Sequence, residues 1–106
     1  MKDSISILSG TEIIQTLGKR YAEYRKRAKM TQKEVSEQSG LSIFTISGFE
    51  NGSQTGITMG AFIKLMRAIG EIEQIDELLP ELPQSPKEKY LELMKALKKT
   101  KSPKMI

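Results

Sequence analysis

Residues 31–52 read TQKEVSEQSGLSIFTISGFENG. Thr31 and Glu34 form a capping box, in which the threonine hydroxyl accepts from a backbone N–H three residues on while the glutamate answers back to the cap. A short helix starts there. Gly40 stops it, because only a residue tolerant of positive φ turns the chain so tightly, and Ser42 caps the next helix almost at once. Asn51 and Gly52 end that helix, since both accept the left-handed conformation of a helix exit. Two short helices joined by a glycine turn make a helix-turn-helix, whose geometry can be checked residue by residue. Ser36 is small where the helices must cross, and Val35, Leu41, Ile46 and Phe49 are apolar where the pair must bury itself. Ile43, Phe44, Ile46 and Phe49 are too many apolar residues for one face of so short a helix.

Upstream, Ile13, Leu17, Tyr21, Tyr24 and Ala28 step by helical spacing and predict the inner face of a first helix. Its opposite side carries Lys19, Arg20, Arg25, Lys26, Arg27 and Lys29 against the single acid Glu23. Downstream, SQTGIT reads as a surface loop, and Thr58 caps a fourth helix with Met59, Phe62, Ile63, Met66 and Ile69 inward, closed by Gly70. A fifth helix presents Ile72, Ile75, Leu78 and Leu79 and stops at Pro80, with Pro83 keeping the following linker extended. Ser85, Pro86 and Glu88 are a strong start for a last helix striped with Tyr90, Leu91, Met94 and Leu97. The lysine-rich tail from Lys98 has no cap and is expected to fray. The chain is all-α: an arm over 1–10, a helix-turn-helix domain over 11–80, and a linker, helix and basic tail over 81–106.

The 106 residues include no cysteine and no histidine. That removes disulfides, the usual zinc ligands, the thiolate nucleophile and the commonest general base, so the reading is of a non-enzyme without cofactor or metal. No secretory signal and no run of about twenty apolar residues is present, so a cytoplasmic protein with no membrane partner is expected. Net charge is +4, but unevenly distributed. Residues 71–82 hold Glu71, Glu73, Asp76, Glu77 and Glu81 without a base, and seven lysines follow from Lys87 to Lys104. A polyanion could be met by the first and last basic blocks; equally, any one charged run can be a solvated face. The acidic run reads as such a face, its carboxylates not being arranged around a loop that could hold a metal.

The segment TQKEVSEQSGLSIFTISGFENG, with LGKRYAEYRKRAKM before it and ITMGAFIKLMRAIG after it, resembles the helix-turn-helix of the lambda-repressor-like (XRE) DNA-binding family over residues 13–79. Through FENG, TMGAFIKLMRAIG and LLPELPQSP it also resembles the subset that accompanies HipA-type kinase toxins as antitoxins. The family implies a five-helix DNA-binding domain, here with an extra C-terminal helix, whose third helix enters the major groove of double-stranded DNA. Ser42, Ile43, Phe44, Ser47 and Gly48 would then face base edges, with Thr45 and Asn51 on the same helix among the candidate contacts. Gln32, beside Lys33 at the start of the preceding helix, matches the family glutamine that reaches a phosphate and braces the recognition residues, a position where free N–H groups attract an anion. Ser53, Gln54, Thr55 and Thr58 would offer donors to the backbone across the groove.

Under this resemblance Ile46 and Phe49 face the core, while Ile43 and Phe44 stand outside to press on thymine methyls; the alternative is that either folds back as a lid over the core. Gly48 departs from the family pattern, which often has a long polar side chain there, and no base lies between Ser42 and Gly52. Shape and methyl readout are therefore expected over bidentate guanine readout, and a mid-helix glycine suggests close approach to something, DNA or protein. Glu50 is expected to be structural, with Arg20 as its partner. The function implied is a transcriptional regulator that represses its own operon as a homodimer. The alternative is an antitoxin whose residues 85–106 clasp a toxin protein partner, and a third reading keeps the fold without DNA binding.

Overall fold

In the computed structural model, which describes residues 2–101 and the side chains of residues 5–97, a turn of 3-10 helix over Lys2–Ile7 leads into α1, Gly10–Arg27. The start of α1 is fixed by a second capping box: the Ser9 hydroxyl accepts from Glu12 N–H, and the Glu12 carboxylate accepts from Ser9 N–H. SGTE carried that signature in plain sight. The buried line of α1 runs through Gly18, Tyr21 and Arg25, with Ile14 and Leu17 half-buried beside it. The expected stripe was thus rotated too far: Tyr24 and Ala28 are exposed, and Arg25, assigned to the solvated basic side, is inside. Counting only apolar residues hid the true face, because its line includes a glycine and an arginine.

Helices α2, Gln32–Ser39, and α3, Ile43–Asn51, begin and end as their caps dictate. Gly40 takes φ 80° and Gly52 φ 84°. Between the helices Leu41 is held from both sides, its carbonyl accepting from the Ser36 hydroxyl at 2.6 Å and its N–H donating to the Ser39 hydroxyl at 3.1 Å. Ser36 therefore does more than leave room. Val35, Ile46 and Phe49 are buried as the pattern requires. Helix α3 lies directly on α1: a methyl group added at Gly18 would overlap the Phe49 carbonyl oxygen. Gln15 Nε2, one turn earlier, donates to the Gly52 carbonyl at 3.1 Å, giving the end of α3 a partner on α1.

Thr58 caps α4, Met59–Ala68, which crosses behind the pair. Leu65 is its fully buried residue, absent from the expected inner face, whereas Met59 is 60% exposed. The core is Tyr21, Val35, Ile46, Phe49, Leu65 and Ile69, with the Phe49 ring 5.9 Å from that of Tyr21 and 6.1 Å, edge-on, from that of Phe62. Tyr21 hands its O–H to the Leu65 carbonyl at 2.7 Å, which removes the cost of burying a phenol.

Helix α5, Glu73–Leu78, is short and follows Gly70. Ile72 and Ile75 are half-buried, but every described residue from 76 to 97 is exposed, including Leu78 and Leu79. The chain then runs extended through Pro80 and Pro83 into α6, Pro86–Lys101, capped reciprocally by Ser85 and Glu88. Helix α6 continues past Lys98; residues 102–106, the rest of the expected frayed tail, lie outside the described residues. Its apolar stripe is wet. The radius of gyration, 20.2 Å against about 13 Å for a compact chain of this length, reflects that outlying helix. Among the described residues there is no strand, and no helix is long and apolar enough to cross a membrane.

Two measurements check this packing. Gly18→Ala is expected to lower stability by about 1–3 kcal/mol in urea unfolding, because backbone on both sides leaves the methyl nowhere to go. Burial, with the Glu50 charge second, raises the Tyr21 pKa above its ordinary 10, so the folded state holds this proton more tightly than the unfolded one. The corresponding stability is fully present below pH 10 and lost as pH rises beyond it; urea midpoints should fall above pH 10, and Tyr21→Phe should flatten that fall.

Candidate nucleic-acid interface

The outward side of α3 is set by its inward one. With Ile46 and Phe49 fully buried, helical geometry turns the first-turn residues away from the core, leaving Ile43 45% and Phe44 75% exposed. Neither folds back as a lid. Ser42, also exposed, is occupied at the cap: its hydroxyl accepts from Thr45 N–H at 3.1 Å and donates to Thr45 Oγ1 at 3.0 Å. The Thr45 O–H remains as a donor for something outside. Thr45 and Ser47 are half-buried, and Asn51 at the far end accepts from Ser53 N–H through Oδ1 at 2.8 Å.

Gly48 does not share that surface. It is buried under Gln54, whose side chain occupies the place a Cβ would take, and its carbonyl accepts from Gln54 N–H at 3.0 Å. The close approach suggested by this glycine is made by the chain's own loop, and the expected base-edge position is closed. Ser53 is exposed, while Gln54 and Thr55 are half-buried in a loop thereby pinned to α3. The sequence signal was present, but a mid-helix glycine says only that something is near.

Beneath α3 a charged cluster joins three helices. Arg25 grips Glu50 with two parallel bonds, Nε to Oε2 at 2.7 Å and Nη2 to Oε1 at 2.8 Å, and its Nη1 donates to the Met30 carbonyl at 2.8 Å. Gln32 Nε2 adds a fourth bond, to Glu50 Oε1 at 3.0 Å. Glu50 is structural as expected, but its partner is Arg25, five residues beyond the expected Arg20, which stays exposed on the outer side of α1. The reversal after α1, where Lys29 takes φ 61°, brings the Met30 carbonyl back within reach of Arg25. Hydrogen bonding to Glu50 outweighs desolvation and raises the Arg25 pKa, so the guanidinium stays charged inside.

Gln32 is half-buried and spends one N–H on Glu50, whereas Lys33 beside it is exposed at the positive end of α2. Gln32 thus links the first turn of α2 to the last turn of α3. The outer side of α1 keeps Lys19, Arg20, Lys26 and Arg27 in solvent, and Lys29, just past its end, is exposed too. The structure brings Ile43, Phe44 and Thr45 together at the tip of α3, sets the Ser53–Thr55 loop at its other end, and removes Gly48 from the set. Gln15 and Arg25, which hold α3 in place, were missed because their partners lie 37 and 25 residues away.

Residues 22–73 match the helix-turn-helix family model. No curated protein and no solved structure matches the chain. The helices are those of a lambda-repressor-like fold with an extra C-terminal helix.

Replacing Arg25 by methionine alone is expected to cost about 3–5 kcal/mol in chemical unfolding, because it leaves the Glu50 carboxylate buried without its cation. Arg25→Met with Glu50→Met together should recover at least half of that loss, since the unpaired charge is the costly element.

Proposed function

Starting from that helix-turn-helix segment, we propose that the protein is a sequence-specific double-stranded DNA-binding transcriptional regulator that represses its own promoter as a dimer, with α3 in the major groove of each half-site. The observation that carries this reading is Phe44. A large apolar ring, 75% exposed, stands beside Ile43 at the tip of a helix whose inner side is locked to α1 and α2. Such an exposed pair costs solubility, and the thymine methyl is the one apolar feature on major-groove base edges that would cover it. Thr45 supplies a donor next to that pair. Because α3 carries no cation, affinity has to come from phosphates met by Lys33 and the α2 start on one side and by Ser53, Thr55 and Thr58 on the other.

Fluorescence anisotropy with DNA from the protein's own promoter tests this. Phe44→Ala should weaken binding by about 1 kcal/mol or more, chiefly at A·T pairs. Lys33→Ala should weaken it on all sequences and lower the salt slope by about one. If both variants bind like the parent, or if binding is weak and blind to sequence, the groove assignment is wrong.

A further inference from the structure

Two surfaces near the carboxy terminus are apolar and unpartnered, and they carry opposite charge. The first is α6, where Tyr90, Leu93, Met94 and Leu97 fall on one stripe with three of them at least half exposed or nearly so (60%, 58%, 42% and 49%). Across residues 86–101 it has six lysines and two glutamates, and Lys87 and Lys89 each lie one helical turn from a stripe residue, Tyr90 and Leu93. The second is the end of α5 and the linker, where Leu78, Leu79 and Leu82 are 56%, 85% and 88% exposed among Asp76, Glu77 and Glu81. Residues 71–82 contain five acids and no base.

We propose that these surfaces dock on each other between two copies of the chain, α6 of one copy lying on the acidic Leu78–Leu82 segment of the other, and reciprocally. The linker argues against the same contact within one chain. Pro80 and Pro83 fix φ and keep their preceding residues extended, as at Leu79 with φ −146° and ψ 80°, so α6 is carried away from its own α5 instead of folding back on it. Charge argues against α6 pairing with α6, which would set lysine-rich helices side by side. The reciprocal contact puts lysines against carboxylates, covers both leucine surfaces, and satisfies a twofold axis with two identical patches. This deepens the dimeric operator binding proposed above by naming its interface, and its test uses no DNA, so that either can fail without the other.

The test is sedimentation equilibrium of the full chain at low and high salt. The parent should be dimeric at low salt, with dissociation strengthened about tenfold or more as salt screens the charges. Leu93→Glu with Leu97→Glu should give a monomer whose thermal unfolding midpoint is unchanged, because α6 contributes nothing to the core. Reversing Lys87 and Lys89 to glutamate should weaken the dimer about tenfold or more, and adding Asp76→Lys, Glu77→Lys and Glu81→Lys to the same chain should restore it. A parent that is monomeric throughout overturns the proposal and leaves α6 for a different protein. A dimer unchanged or tightened by the lysine reversal also overturns it, in favour of α6 pairing with α6, and so does a reversal that the acidic changes fail to rescue.

Discussion

The bidentate grip of Arg25 on Glu50 is the contact on which the exposed face of α3 depends. One residue comes from the last turn of α1 and the other from the last turn of α3, while Gln32 joins from the first turn of α2. Burying two charges is expensive, and this pair offsets the penalty because each of the three guanidinium nitrogens has an acceptor in reach, Met30 serving Nη1. Such a cluster tolerates few arrangements of its three helices. It fixes the angle and depth of α3 in a way that a purely apolar core, free to slide by a fraction of a side chain, would not. The same C-terminal end of α3 is held to α1 by two further contacts, the near-contact of Gly18 with the Phe49 carbonyl and the bond from Gln15 to Gly52.

Local chemistry made the two short helices and their turn readable. Thr31 with Glu34, Gly40, Ser42 and Thr58 act on atoms three or four residues away, so the chain itself announces them, and each is found where its chemistry puts it. Long-range pairing was not readable in the same way. Arg25 sits in a run of bases and looks like one more solvated cation until Glu50 is brought beside it; nothing within a helical turn distinguishes it from Arg20 or Lys26. Gly18 is silent for a similar reason, because its role is the absence of a side chain facing a backbone thirty-one residues on. Leu65 was lost by a different route. Helix α4 is apolar on so much of its circumference that spacing alone admits several inner faces.

The same distinction governs the candidate interface. That Ile43 and Phe44 stand outside follows from Ile46 and Phe49 being inside, a constraint of helical period. That Gly48 is closed could not be read, since it depends on how a seven-residue loop returns. The C-terminal third shows what happens when such return contacts are missing: the caps of α6 are well made, its stripe is well formed, and yet it touches nothing that would bury it.

The packing of Gln54 over Gly48 bears on how a protein of this kind could acquire a new target. A long side chain at residue 48 would be the shortest route to reading a guanine, but here it would evict the loop that meets α3 from behind. Change is cheap at the exposed Ile43 and Phe44, and costly at Gly48. If α3 enters the groove as proposed, descendants of this sequence would drift among methyl-rich sites by exchanging small and greasy tips, and reach guanine-rich ones only by rebuilding the loop first.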